Sequence, residues 1–143
     1  PEAERALLSD YRRSGLSRGH MAAAGDMGTK FGKAQSYSLA NMVPQDPTQN
    51  GKPWSQIEQD TRRYIRRAKG DVYVITGPVF SSSKPRTIGD GQVWVPDAVF
   101  KMVYDPATGQ RWVHLQANKS STKAGKHISY DEFVQRTGIK LIN

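Results

Sequence analysis

Apolar positions along this chain come in three rhythms, and each rhythm predicts a different element. Helical spacing marks residues from about Trp54 to Lys69, where Trp54, Ile57, Thr61, Tyr64, Ile65 and Ala68 fall on one arc at about 100° per residue. Glu58 and Arg62 lie along one border of that arc, and Arg63, Arg66 and Arg67 point to solvent. Ser55-Gln56-Ile57-Glu58 has capping-box spacing near the start. A second helix is expected from about Ser129 to Thr137, with Tyr130, Phe133 and Val134 on its buried side and Gly138 just beyond its end. Period-2 alternation through Tyr37, Leu39, Asn41 and Val43 predicts a strand ended by Pro44. The continuous apolar run Val72 to Phe80 predicts a central strand buried on both faces. Two more strands, Val99 to Tyr104 and Arg111 to Gln116, are joined by the turn-forming residues Asp105 to Gly109.

The rest reads as connections. Ala6, Leu7, Leu8 and Tyr11 suffice for one short helix before a Ser14-Gly15 turn, and Arg18-Gly19-His20 reads as a short turn. From His20 to Gly25 the chain is expected as loop or short extended segment, and Gly25 to Gly32 as an irregular loop. Gln45 to Pro53, Ser81 to Gly91 and Asn118 to Lys126 are loops by their prolines, glycines, amides and serines. This mixed order gives an α+β class with a mainly antiparallel central sheet. With 143 residues the chain is expected to form a single domain over 1–143 with a real core.

Charge narrows the function. A net charge of +8 and a pI near 9.9 favour a polyanionic partner, nucleic acid first and an acidic membrane surface second. The absence of cysteine excludes disulfides, thiolate metal sites and cysteine nucleophiles, so any metal sits on oxygen or imidazole. No apolar run approaches the ~18 residues of a membrane span. The chain starts without Met or a signal-peptide core, which is expected of a processed product whose targeting segment has been removed.

Phosphodiester hydrolysis needs an activated water, a cation at the departing oxygen and positive charge around the phosphoryl oxygens. His20 can serve as general base near neutral pH. A hard ion such as Mg²⁺ keeps several waters, so the Asn50 carboxamide backed by Glu58 through water suffices to hold it. Arg62, one helical turn past Glu58, can reach a phosphate bound at that ion. Each residue alone has a structural alternative: a satisfied histidine, a turn-capping Asn50, a capping-box Glu58, an i,i+4 pair of Glu58 with Arg62.

Taken together, three segments resemble a known family. Ser17-Arg18-Gly19-His20-Met21-Ala22, Tyr37 to Gln45, and the spacing Asn50, Trp54, Glu58, Arg62 are similar to the motifs of the DNA/RNA non-specific endonucleases. These belong to the ββα-metal (His-Me finger) superfamily and include endonuclease G and the sugar-non-specific nucleases. Val72 to Phe80 resembles the family's Val-x-Val-x-x-Gly-Pro strand, and Val95-Pro96 to Tyr104 the strand after it. The resemblance implies His20 as the base, Asn41 as the residue that orients it, and Asn50 as the direct ligand of Mg²⁺, with Mn²⁺ able to replace it. It implies Glu58 as the acid holding metal-bound water, and Arg18 and Arg62 as arginines on the phosphate. It also implies an N-terminal segment, with further strands and an arginine, that this chain lacks. Three positions depart from the pattern: Ser17 replaces Asp, Ala40 replaces Ser, and Ile57 replaces Leu.

Arg63, Arg66 and Arg67 with Lys69 fit phosphate tracking without base readout, and Arg12 and Arg13 add to the same field. Lys119, Lys123, Lys126 and His127 form a weaker loop patch. The expected function is Mg²⁺-dependent cleavage of DNA and RNA leaving 5′-phosphate ends, in a secreted or periplasmic protein. A non-catalytic nucleic-acid-binding protein of this fold and an antibacterial toxin domain held by an immunity protein are the alternatives. An inhibitor protein and a homodimer are partners left open, and no membrane partner is expected.

Overall fold

A computed structural model describes residues 5–143, so the first four residues of the segment leading into the first helix lie outside the described part. In chain order the elements are α1 (Leu8–Tyr11), β1 (Ser17–His20), α2 (Lys30–Ser36), β2 (Met42–Gln45) and α3 (Pro47–Gln49). A π-turn over Asn50–Trp54 then runs without a break into α4 (Ser55–Arg67). After it come β3 (Tyr73–Val79), β4 (Thr87–Ile88), β5 (Val93–Trp94), β6 (Ala98–Asp105), β7 (Gln110–Ala117), β8 (Ile128–Ser129) and α5 (Tyr130–Thr137).

The main sheet is antiparallel in the order β3-β6-β7-β8. Directly paired residues share a face, so the register sorts the side chains into two layers. Ile75, Met102 and Val113 are aligned, and with Val79 and Phe100 they pack on Tyr130 and Phe133 of α5. Phe133 is fully buried there, a burial worth roughly 1.5–3 kcal/mol. The opposite face aligns Thr76, Lys101 and His114, with Val99 packed against Trp54 and Ile57 of the π-turn and α4. This second face is polar as well as apolar, and the candidate chemistry lies on it.

A separate pair, β1 with β2, holds His20 opposite Met42 and Gly19 opposite Val43. Buried amides fasten this pair to the sheet. Gln45 donates to Gln49 Oε1 (2.6 Å) and Gln49 to Gln116 Oε1 (2.9 Å), and all three are buried. Asn118 donates to the carbonyls of Pro44 and Pro96, both 3.0 Å, and accepts from the Asp46 N–H at 2.7 Å. Gly19 is required by this packing, because a Cβ there would fall 1.8 Å from Gln45 Oε1.

Several expectations are corrected. Arg18-Gly19-His20 is strand, not turn. The strand expected from Tyr37 starts only at Met42 and continues through Pro44. Ser38 closes a short 3₁₀ turn at Leu39–Asn41, its hydroxyl accepting from the Ala40 N–H. Among the described residues β2 pairs with β1 alone, so Pro44 sits on an edge strand, where proline is tolerated. The loop expected over Gly25 to Gly32 runs into α2, capped by Thr29, whose hydroxyl accepts from the Gly32 N–H at 2.9 Å. Its Phe31 is 73% exposed, so no apolar face announced the helix. Gln45 to Pro53 is mostly helical: Asp46 accepts from the Thr48 and Gln49 N–H groups and starts α3, with Pro47 in its first turn. Ser55 therefore sits inside a running helix, and Glu58 has no capping duty. Tyr73–Val79 is paired along one side only among the described residues; the strands between two neighbours are β6 and β7. The helix at 55–67, the strands around 99–104 and 111–116, and α5 with Gly138 at φ 72° all agree with expectation.

Candidate active site

His20 ends β1, where pairing with β2 fixes its backbone. Its ring packs edge-on to Tyr37, centroids 4.7 Å apart. Nε2 is buried with no hydrogen-bond partner among the described residues. Burial, and then the positive charge of Arg18, holds its pKa below the ordinary 6.5, so the imidazole is neutral at neutral pH. Asn41 grips the chain just past His20 rather than the ring. Its carbonyl accepts from the Met21 N–H (2.8 Å), and its side chain accepts from the Ala22 N–H (2.9 Å). Its Nδ2 donates to the carbonyls of Ala22 (2.8 Å) and Ser36 (3.0 Å).

Asn50 opens the π-turn. Its Nδ2 donates to Ser17 Oγ at 3.3 Å, and that hydroxyl donates to the Gln45 carbonyl at 2.9 Å. Ser17 thus directs the amide end of Asn50 toward β1 and leaves the carboxamide oxygen on the other side. One turn of i→i+5 bonding absorbs an extra residue, which brings Asn50 and Glu58, eight apart, close to the i,i+7 relation of one helix face. Sequence spacing alone gives no sign of this π-turn.

Glu58 is half-buried, and burial raises its pKa against the opposing pull of Lys101 and Arg62. The i,i+4 alternative for Arg62 is not what forms. Arg62 pairs with Asp26 at 2.9 Å, and Gly25 leaves room for it, since a Cβ there would lie 2.9 Å from the guanidinium. Lys101 is the charged neighbour that sequence reasoning missed. It is 2% exposed, donates to Thr76 Oγ1 at 2.7 Å, and lies 5.7 Å from the Trp54 ring centroid. Burial lowers its pKa, partly offset by Glu58. The available signal was a single lysine inside the apolar run Val99-Phe100-Lys101-Met102-Val103.

The remaining expected residues are distributed elsewhere. Arg18 is exposed on β1. Arg63, Arg66 and Arg67 are exposed on α4, with Arg63 paired to Asp60 at 2.9 Å. Lys119, Lys123, Lys126 and His127 are exposed after β7. Among the described residues no group of three His, Cys, Asp or Glu side chains could hold a metal. The donors present, one carboxamide and one carboxylate, fit a hard cation that keeps most of its water, and do not fit a structural zinc.

A strand pair that carries a histidine and leads into a helix carrying an amide and an acid is the ββα-metal fold, set here on an antiparallel α+β sheet. A solved structure of the endonuclease G complex with its inhibitor EndoGI matches 96% of this chain and 64% of that one, with TM-score 0.83 and 27% identity. The profile of the DNA/RNA non-specific endonucleases matches residues 1–141, and the chain belongs to that family of nucleic-acid-hydrolysing enzymes. Human mitochondrial endonuclease G is 36% identical over 115 residues, covering 73% of this chain and 38% of that protein. Human mitochondrial nuclease EXOG is 41% identical over 95 residues, covering 64% and 24%. The chain therefore spans well under half the length of these curated relatives.

Proposed function

We propose that the chain hydrolyses phosphodiester bonds of DNA and RNA with one divalent cation, Mg²⁺ or Mn²⁺. The observation that carries this reading is His20, a neutral imidazole fixed at a strand end by the same strand pair that directs Asn50. Asn50 through its carboxamide oxygen, and Glu58 through water, would hold the ion. When bound, the ion supplies positive charge beside the phosphoryl oxygens and the departing 3′-oxygen. With Nε2 sealed, Nδ1 is the ring nitrogen left to take the proton of the attacking water. The new bond joins water oxygen to phosphorus and the P–O3′ bond breaks, so the 3′-oxygen leaves and takes a proton from solvent. The phosphate stays on the 5′ side. Arg62, steadied by Asp26, and Arg18 balance the charge that builds on the phosphoryl oxygens. Control by a dedicated inhibitor protein is the partner reading that the solved complex supports.

Supercoiled plasmid and a folded RNA, each incubated with the chain in Mg²⁺ or in EDTA, test this reading. Both should be cut in Mg²⁺ only, and the new 5′ ends should accept label from polynucleotide kinase only after phosphatase treatment. No cutting in either condition, or cutting that survives EDTA, would overturn it.

A further inference from the structure

We infer that the flank of α4 turned away from His20 forms, with β7, a groove that binds a short run of single-stranded nucleic acid by stacking its bases. The inference rests on nucleic acid being the substrate. At 3.6 residues per turn Arg67 lies about 180° round the helix from Glu58, so the groove and the hydrolytic residues occupy opposite sides of one helix.

Two open depressions of about 510 and 620 Å³ meet at Tyr64, which lines both. Each is large enough for a nucleotide-sized group, so the pair has room for two or three. Tyr64 and Trp112 are half-buried, with rings edge-to-face at 4.9 Å, and exposed His127 lies 5.8 Å from Trp112. The polar atoms of Tyr64 and Trp112 are already engaged: the Tyr64 hydroxyl donates to Asp105 at 2.5 Å and Trp112 Nε1 to His114 Nε2 at 3.3 Å. What Tyr64 and Trp112 have left to offer is ring surface, and ring surface binds bases without regard to sequence.

The charge around the rings favours a polyanion. Arg63, Arg67, Lys69 and Arg111 line the two depressions against Asp60 and Asp105. Both acids are occupied, Asp60 by Arg63 and Gln56, Asp105 by Tyr64 and the Ala107 N–H. Cations beside aromatic rings are the chemistry of a single-strand track. Such a groove holds one strand while the other side of α4 acts on a different part of the same molecule.

The test uses a twelve-residue oligothymidylate carrying 5-iodouracil, irradiated with the full chain in EDTA so that nothing is cut. Peptide mapping should find adducts at Trp112, Tyr64 or His127. In anisotropy titrations with the same oligonucleotide, Trp112→Ala and the exposed His127→Ala should each weaken binding by about 5- to 100-fold. Hydrolysis of thymidine 5′-(p-nitrophenyl) phosphate in Mg²⁺ should be unchanged by both, which also reports that each variant is folded. Adducts confined to residues 18–62, or unchanged affinity in His127→Ala together with unchanged affinity in Trp112→Ala, would overturn the groove. Failure of the unmutated chain to hydrolyse the small ester, with adducts still in the groove, would instead overturn the catalytic reading and leave the groove standing.

Discussion

In the proposed reaction His20 can act as base only while neutral, so its surroundings would set the acid side of the pH profile. Burial and the Arg18 charge both disfavour the imidazolium, which moves the pKa below 6.5. The rate then rises with pH through a midpoint below 6.5 and is already at its plateau at neutral pH. Arg18→Leu removes the second cause and keeps the first, so the midpoint of kcat/KM should move up while staying below 6.5. A midpoint that stays put or falls would contradict the electrostatic part of the account. Residues such as His20, Asn41, Asn50, Glu58 and Arg62 were legible because their motifs are local in sequence. Lys101 and Asp26 were not. Their effect on Glu58 and Arg62 comes from packing across the fold, where a β6 side chain and a loop carboxylate meet one helix.

The elements explain why the motif residues keep their positions. Gly19 lies against the buried amide of Gln45, and Gln45 links β2 to Gln49 and β7. Gly19→Ala has nowhere to put its Cβ without breaking that chain of amides. The expected cost is about 2–6 kcal/mol, the sum of overpacking and an unpaired buried amide, read from urea midpoints. A loss below about 0.5 kcal/mol would show that the amide chain does not hold β1 to the sheet. Long periodic elements were legible here: α4, β6, β7 and α5 each carry enough apolar residues to set a period. The segment at 30–45 was not, because α2 is too short and too exposed to show a face, and because Ser38 and Asp46 shape the chain through side-chain bonds to the backbone rather than through apolar spacing. Strand order was equally hidden. Val72 to Phe80 and Val99 to Tyr104 are both apolar runs, and only the pairing shows that, of the two, β6 is the one with a neighbour on each side.

At the scale of the whole molecule, α4 carries its arginines on two flanks. On one flank Arg62 faces Asp26 and the half-buried Glu58; on the other Arg63 and Arg67 line open depressions beside Tyr64. Composition alone predicted a polyanion but gave no hint of where these arginines sit, since that follows from how one helix lies across the sheet. The central claim is that a single imidazole drives the hydrolysis. Initial rates of plasmid nicking in Mg²⁺, measured side by side for the unmutated chain and His20→Ala at equal thermal stability, test it most directly. The account predicts a loss of about 10²–10⁴-fold with plasmid binding retained. Nicking within about threefold of the unmutated rate would contradict it.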